Sequence, residues 1–251
     1  MLGHALNEMR LRWVRARRYL FETLLGIALM VFFFGGLLWA VSSISGQRLD
    51  SGALDGLLMG FVLWSFATTA YGCASGEIGE EMRQRTLEAV CVAPLGLGSL
   101  LLLRTLLRMA GGLVSLLLLV ALLHWMSDGR LKLHSLQALA PVLLAAPSLI
   151  GLGFASAGLL LVVKRAEMVP SLLALALMGL VALPAYPLNG LALLPYALGA
   201  AAAKASASGV LLAPGTLGWI ALNSSLYLLL GGLLFALAMR QARRLGVLGH
   251  T

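Results

Sequence analysis

The fold is decided by one charged segment that stands between two long apolar runs, EIGEEMRQRTLEAVCVAP (Glu77–Pro94). This segment holds four of the ten acidic residues in a chain of 251 residues that is 60% hydrophobic and only 11% charged. Soluble globular proteins are about half apolar and a quarter charged. The flanking runs each have about 20 residues, which is long enough for a membrane-spanning helix. The sequence therefore predicts an all-α polytopic membrane protein in which this segment, called the coupling segment below, lies in water.

The apolar runs predict six spans in a single transmembrane domain, 1–251, at about 22–44, 54–76, 101–126, 138–163, 168–186 and 213–239. With the N-terminus in the cytoplasm, 14 of the 18 Lys and Arg residues fall on the inner side, and only Arg48, Arg130, Lys132 and Lys204 fall outside. An excess of positive charge on the cytoplasmic side is typical of membrane proteins. Both termini are thus expected in the cytoplasm, and the net charge of +8 indicates orientation rather than a nucleic-acid partner.

The N-terminal segment, 1–20, has five arginines between Arg10 and Arg18, and its apolar residues recur at helical spacing. This pattern is typical of an amphipathic helix that lies in the membrane interface before the first span. The alternative is a positive flank that forms no helix of its own.

A second segment outside the ordinary spans, 184–209, is apolar but is interrupted by Pro184, Pro187, Gly190 and Pro195. Irregular backbone at membrane depth is tolerated only where protein covers it or water reaches it. We therefore expect one or two short re-entrant helices before the sixth span. A loop lying on the outer membrane surface is the alternative.

Catalytic and metal-binding patterns are not found in the sequence. The four histidines do not pair with a nucleophile at recognisable spacing, no Cys/His cluster has metal-ligand spacing, and no phosphate-binding P-loop is present. A non-catalytic chain that binds no metal or cofactor is predicted. Arg104 and Arg108, near the inner end of the third span, are interpreted as anchors that extend to the lipid headgroups.

Polar side chains inside the spans have two possible roles. They can line a translocation path, or they can hydrogen-bond neighbouring helices to one another. The candidates are Ser65, Thr68 and Thr69 in the second span, and Asn223, Ser224 and Tyr227 in the sixth.

The coupling segment can form a short amphipathic helix. Ile78 and Met82 stack at i, i+4, while Glu77, Glu80 and Arg83 occupy other faces. Such a helix, joined to a span on each side, can transmit a push from a soluble partner. A solvated loop whose acids offset nearby arginines fits the spacing equally well.

The sequence EMRQRTLE (Glu81–Glu88), followed by AVCVAP up to Pro94 and then by Arg104, resembles the signature of type-2 ABC exporter permeases. In that family a cytoplasmic segment after the second span has the pattern E-x-x-x-G-T-L-E-x-L-x-x-x-P, with a basic third span behind it. The basic N-terminus, the six spans and the interrupted segment before the last span also match, so the resemblance covers nearly the whole chain. One departure is Arg85, which stands where the family has glycine.

The resemblance implies the membrane-spanning half of a bacterial inner-membrane exporter, paired with a second permease copy or a paralogue. ATP and Mg²⁺ would be bound by separate ABC ATPase subunits, which dock on the coupling segment. The residues implied in ATPase coupling are Glu80, Glu81, Arg83, Arg85, Thr86, Leu87 and Glu88. Substrates of similar permeases include drugs, lipids, haem and lipid-linked glycans. An ion-coupled secondary transporter and a membrane assembly factor without transport activity are the alternatives.

Overall fold

The computed structural model describes 52–84, 96–126, 135–163 and 168–244, together with eight scattered helical positions between Leu25 and Ser43. The predicted interfacial helix, most of the first span, and Arg85, Thr86, Leu87 and Glu88 lie outside the described residues. Within the four ranges every regular element is a helix, which confirms the all-α class. These elements are α1 (Gly52–Arg83), α2 (Gly96–Met126), α3 (Ser135–Val162), α4 (Met168–Ala182), a 3-10 helix (Gly190–Leu193), α5 (Ala197–Ala207) and α6 (Thr216–Arg244).

Three helices in the described part are long and apolar enough to cross a membrane, at Leu97–Val114, Gln137–Val162 and Thr216–Arg244. They correspond to the predicted third, fourth and sixth spans, and they support a membrane protein. The shorter α4 is apolar, but its 15 residues extend only about 22 Å at 1.5 Å per residue. It ends at Ala182 rather than at 186, because Pro184 lacks a backbone N–H and disfavours the helical conformation of Leu183. The total of six spans stays a prediction.

α1 is longer than the second predicted span. Its 32 residues form one continuous helix of about 48 Å, whereas the hydrocarbon core of a bilayer is about 30 Å thick. The sequence placed the start of a separate segment at Glu77, but the helix has no break there. Glu80, Glu81, Met82 and Arg83 all favour helix, and no proline interrupts them. The first part of the coupling segment is therefore the end of α1.

α3 is the central helix, since it packs against α1, α5 and α6. Its contact with α6 is made by backbone, because a Cβ atom at Gly231 would overlap the backbone of Gly151. On another face of α3, a Cβ at Gly153 would lie only 2.5 Å from the carbonyl oxygen of Tyr71 in α1. Small residues that let helix backbones approach closely are typical of helix packing in membranes.

The buried side chains form two apolar clusters. The larger cluster joins α1, α3, α4 and α5 around Leu63, Leu149 and Leu177. The smaller cluster joins α1, α2, α3 and α6, and in it the rings of Phe154 and Phe235 meet edge to face, with centroids 5.3 Å apart. Ile78, the second residue of the coupling segment, is fully buried in the smaller cluster. The start of the coupling segment is therefore at the edge of this part of the core.

Candidate functional site

Four charged side chains lie between the end of α1 and the start of α2, and we call them the ion-pair cluster: Glu77, Glu81, Arg104 and Arg108. Nη1 of Arg104 lies 2.6 Å from Oε1 of Glu81 and 3.5 Å from Oε2 of Glu77. Nη2 of Arg108 lies 2.8 Å from Oε1 of Glu77. The four residues thus form a continuous chain of ion pairs in which Arg104 and Glu77 each contact two partners.

The cluster is only partly accessible to water. The side chains of Glu77, Glu81 and Arg104 are 14%, 16% and 19% exposed, whereas that of Arg108 is 45% exposed. Partial burial weakens the screening of a charge pair by water and salt. The cluster therefore holds α1 against α2 more firmly than ion pairs on an open surface, which contribute little to stability.

The pairing follows from the helical repeat. Glu77 and Glu81 are four residues apart on α1, and Arg104 and Arg108 are four residues apart on α2, so each pair lies on one face of its helix. The later acid meets the earlier arginine, and the earlier acid meets the later arginine, as expected for antiparallel neighbours. The sequence interpretation of the two arginines as headgroup anchors did not include these contacts with carboxylates of α1. The matching four-residue spacings were the signal that could have revealed this.

The other described residues of the coupling segment have different surroundings. Glu80, Arg83 and Gln84 are exposed, and the Gln84 amide donates a hydrogen bond to the Glu80 carboxylate. Of the residues implied in ATPase coupling, Glu80 and Arg83 therefore face outward, whereas Glu81 contacts α2.

Polar residues of α6 bond to the backbone of other elements. Nδ2 of Asn223 donates to the carbonyl oxygens of Ala192 and Leu194, both at 3.3 Å, and the Tyr227 hydroxyl donates to Leu193 at 3.1 Å. The buried Ser224 hydroxyl donates to the carbonyl of Leu144 in α3. These contacts favour the helix-joining interpretation of the three residues over the path-lining one.

The polar residues of α1 are arranged differently. The hydroxyls of Thr68 and Thr69 both donate to the carbonyl of Ser65 within the same helix, at 2.9 Å. α3 packs against both α1 and α6, and it does so with different faces, since Gly153 meets α1 while Gly151 meets α6. The structure therefore does not bring the two sets of candidate path residues together.

The interrupted segment at 184–209 contains two short helices, the 3-10 helix and α5. Every residue of α5 is buried except Lys204 and Ala205. The Tyr196 hydroxyl donates to the carbonyl of Leu63 in α1 at 3.3 Å, and the Lys204 ammonium donates to the carbonyl of Val181 at the end of α4. The segment is thus packed into the helical bundle, while its position relative to a membrane stays a prediction.

In the part of the chain that the structure describes, no group of three or more His, Cys, Asp or Glu residues is arranged to hold a metal ion. Comparison with known proteins gives no match to any family model, to any curated protein or to any solved structure. The function is therefore argued from the geometry of this chain and from the sequence resemblance.

Proposed function

We propose that this chain is the permease subunit of an ATP-driven type-2 ABC exporter, with the coupling segment as the docking site of a separate ATPase. The observation that carries the proposal is the continuity of α1. One helix extends from the apolar bundle to an exposed charged end, and ion pairs fix that end to α2. A force applied to this end by a soluble partner acts directly on two helices of the bundle.

The proposed assembly contains two permease chains, this chain and a second copy or a paralogue, with two ATPases bound to their cytoplasmic faces. In the bacterial inner membrane the chain crosses six times, and both termini lie in the cytoplasm. ATP and Mg²⁺ are bound by the ATPases, and this chain supplies the translocation path. The exported substrate belongs to the classes handled by similar permeases, which are drugs, lipids, haem and lipid-linked glycans.

Contacts of α1 offer a route for movement through the bundle. Close to the charged end, the backbone of Tyr71 contacts Gly153 of the central helix α3. Further along α1, the carbonyl of Leu63 accepts the hydrogen bond from Tyr196, and Nε1 of Trp64 donates to the carbonyl of Ala174 in α4 at 3.3 Å. A displacement of α1 therefore reaches α3, α4 and the segment at 184–209 without passing through a flexible linker.

The test is purification of the tagged chain from native membranes in a mild detergent, followed by an assay of ATP hydrolysis and identification of co-purifying proteins. We expect a soluble P-loop ATPase with the wild-type chain and several-fold less of it with Glu88→Lys. Lys132→Glu, on the predicted outer side, is the control and is expected to keep the ATPase. A chain that purifies alone, even after crosslinking in the membrane, contradicts the proposal and favours the secondary transporter or the assembly factor.

Topology is tested with a membrane-impermeant amine reagent on whole cells. The chain has three lysines, of which Lys132 and Lys204 are predicted outside and Lys164 inside. We expect labelling of Lys204 in intact cells and of Lys164 only after the membrane is opened. The reverse pattern inverts the proposed orientation.

A further inference from the structure

We propose that the α1 part of the coupling segment divides its charged residues between two roles. Glu77 and Glu81 are positioning residues, which fix the segment to α2 through Arg104 and Arg108. Glu80 and Arg83 form the surface that faces the partner. The second role rests on the proposed function, whereas the first depends only on contacts within this chain.

The division follows from the faces of one helix. Glu77 and Glu81 lie one turn apart and both face α2, and the buried Ile78 lies next to them on the side of the core. Glu80 and Arg83 are three residues apart and both are exposed, so they share a face of the helix that lies beside the one turned towards α2. A protein that binds this exposed side meets a carboxylate, a guanidinium and the Gln84 amide, and it does not need to separate α1 from α2.

Direct use of Glu81 as a docking contact has a physical cost. Its carboxylate lies 2.6 Å from Arg104, and both side chains are less than one-fifth exposed. Withdrawing Glu81 would leave Arg104, which has little water around it, with only the longer 3.5 Å contact to Glu77. A partner that recruited Glu81 would have to replace its contact with Arg104, whereas Glu80 and Arg83 are already accessible to it.

The arginines also have packed neighbours besides the two carboxylates. A Cβ atom at Gly76 would lie 3.5 Å from Nη1 of Arg108, so the guanidinium rests against the backbone of α1 one turn before Glu80. Thr105, between the two arginines, is fully buried. The positioning contact is thus formed by packed neighbours as well as by charge, and this favours a fixed orientation of the end of α1.

The experiment combines charge reversal with charge exchange in the full chain. The variants are Glu81→Arg, Arg104→Glu, the double exchange Glu81→Arg/Arg104→Glu, and the outward variants Glu80→Lys and Arg83→Glu. Each is purified from native membranes, and two quantities are measured: the melting temperature of the chain and the amount of ATPase that co-purifies. Glu81→Gln is included as a milder change, in case the charge reversal prevents folding.

Both single reversals are expected to lower the melting temperature and the amount of bound ATPase, because the end of α1 is no longer held against α2. The double exchange is expected to restore both quantities towards wild type. Glu80→Lys and Arg83→Glu are expected to leave the melting temperature unchanged and to reduce bound ATPase by about three- to tenfold, as for loss of a charged contact at an interface.

Two results overturn the inference while leaving the proposed function intact. If the double exchange restores the melting temperature but not ATPase binding, Glu81 contacts the ATPase directly. If Glu80→Lys and Arg83→Glu bind ATPase as wild type does, the partner-facing surface lies elsewhere in the coupling segment. If the wild-type chain carries no ATPase, the proposed function fails, and the melting temperatures alone still decide whether Glu81 and Arg104 form the positioning pair.

Discussion

Two helix contacts in this protein use opposite chemistry. α1 and α2 are joined near their connection by charged side chains, with Glu77 and Glu81 facing Arg104 and Arg108. α3 and α6 are joined in the apolar interior by their backbones, where Gly151 meets Gly231. Between α1 and α2, long charged side chains span the distance that separates the helices. Between α3 and α6, the glycines have no side chains, so the two backbones are in contact.

The difference reflects the surroundings of each contact. Within lipid, an apolar side chain gains little free energy by exchanging contacts with lipid tails for contacts with another helix. Helices there associate through close packing of small residues and through hydrogen bonds. Near water, charged residues are tolerated at a helix end, and pairing them there fixes the rotation of one helix against the other. The α3–α6 contact is thus expected to dominate stability, whereas the α1–α2 contact sets the orientation of the coupling segment.

The largest effect is expected at the glycine contact. Gly231→Ala places a methyl group on the backbone of Gly151, so α6 must move away from α3. We expect a loss of about 3 kcal/mol of stability, the upper part of the usual range for overpacking. Unfolding can be followed by a thiol-reactive dye at Cys73, which is fully buried in α1, in a chain whose other cysteine is replaced by Cys91→Ala.

The matched control is the next residue. A Cβ atom at Gly232 would have no atom within 4 Å among the described residues outside its own helix backbone and neighbours. Gly232→Ala is therefore expected to be neutral or to stabilise by up to about 1 kcal/mol, because alanine loses less backbone entropy in a helix. Equal effects of the two substitutions would show that α3 and α6 do not meet at Gly231.

A smaller effect is expected at the ion-pair cluster. Glu81→Gln removes the charge that faces Arg104, and we expect a loss of about 1–2 kcal/mol, between the values for exposed and buried pairs. Glu80→Gln, one residue away on the exposed side, is the control and is expected to change stability by less than about 0.5 kcal/mol. The Cys73 assay measures both variants.

The salt dependence of stability should also differ between the two contacts. Raising the salt concentration from 0.1 to 1 M shortens the screening length from about 10 to about 3 Å. The difference in unfolding free energy between wild type and Glu81→Gln should therefore become smaller at high salt. The corresponding difference for Gly231→Ala should not change. A loss in Glu81→Gln that stays the same at 1 M salt would mean that dissolved ions do not reach the pair, in contrast to ion pairs on an open surface.

The sequence predicted the elements that depend on long apolar runs. α2, α3 and α6 correspond to predicted spans, and short helices are present at 184–209, where the prolines and glycine interrupt the apolar sequence. The end of α1 was not located, because the boundary was placed where the apolar residues stop. A helix continues past that point when its charged residues find partners, as Glu77 and Glu81 do.

The roles of the polar residues in α6 could not be predicted from the sequence, because they depend on contacts with distant elements. The polar residues of α6 had two interpretations, and the choice required knowledge of which backbone each side chain reaches. Asn223 and Tyr227 reach the segment at 190–194, which is about 30 residues away in sequence, and Ser224 reaches α3. Nothing in the local pattern of α6 distinguishes these residues from the neighbouring Ser225, whose hydroxyl bonds within its own helix.

The smallest effect we expect separates these two serines. Ser224→Ala removes the hydrogen bond from α6 to the carbonyl of Leu144, and the loss should be about 0.6 kcal/mol, the average for a hydrogen bond between membrane helices. Ser225→Ala removes only a bond to Ala221 in the same helix, and it should be neutral or slightly stabilising because alanine is the better helix former. The Cys73 assay compares both variants with wild type. A loss at Ser224 with no loss at Ser225 means that this hydroxyl joins helices, as glycine does at Gly231 about two turns further on. The opposite order would return Ser224 to the candidates for a translocation path.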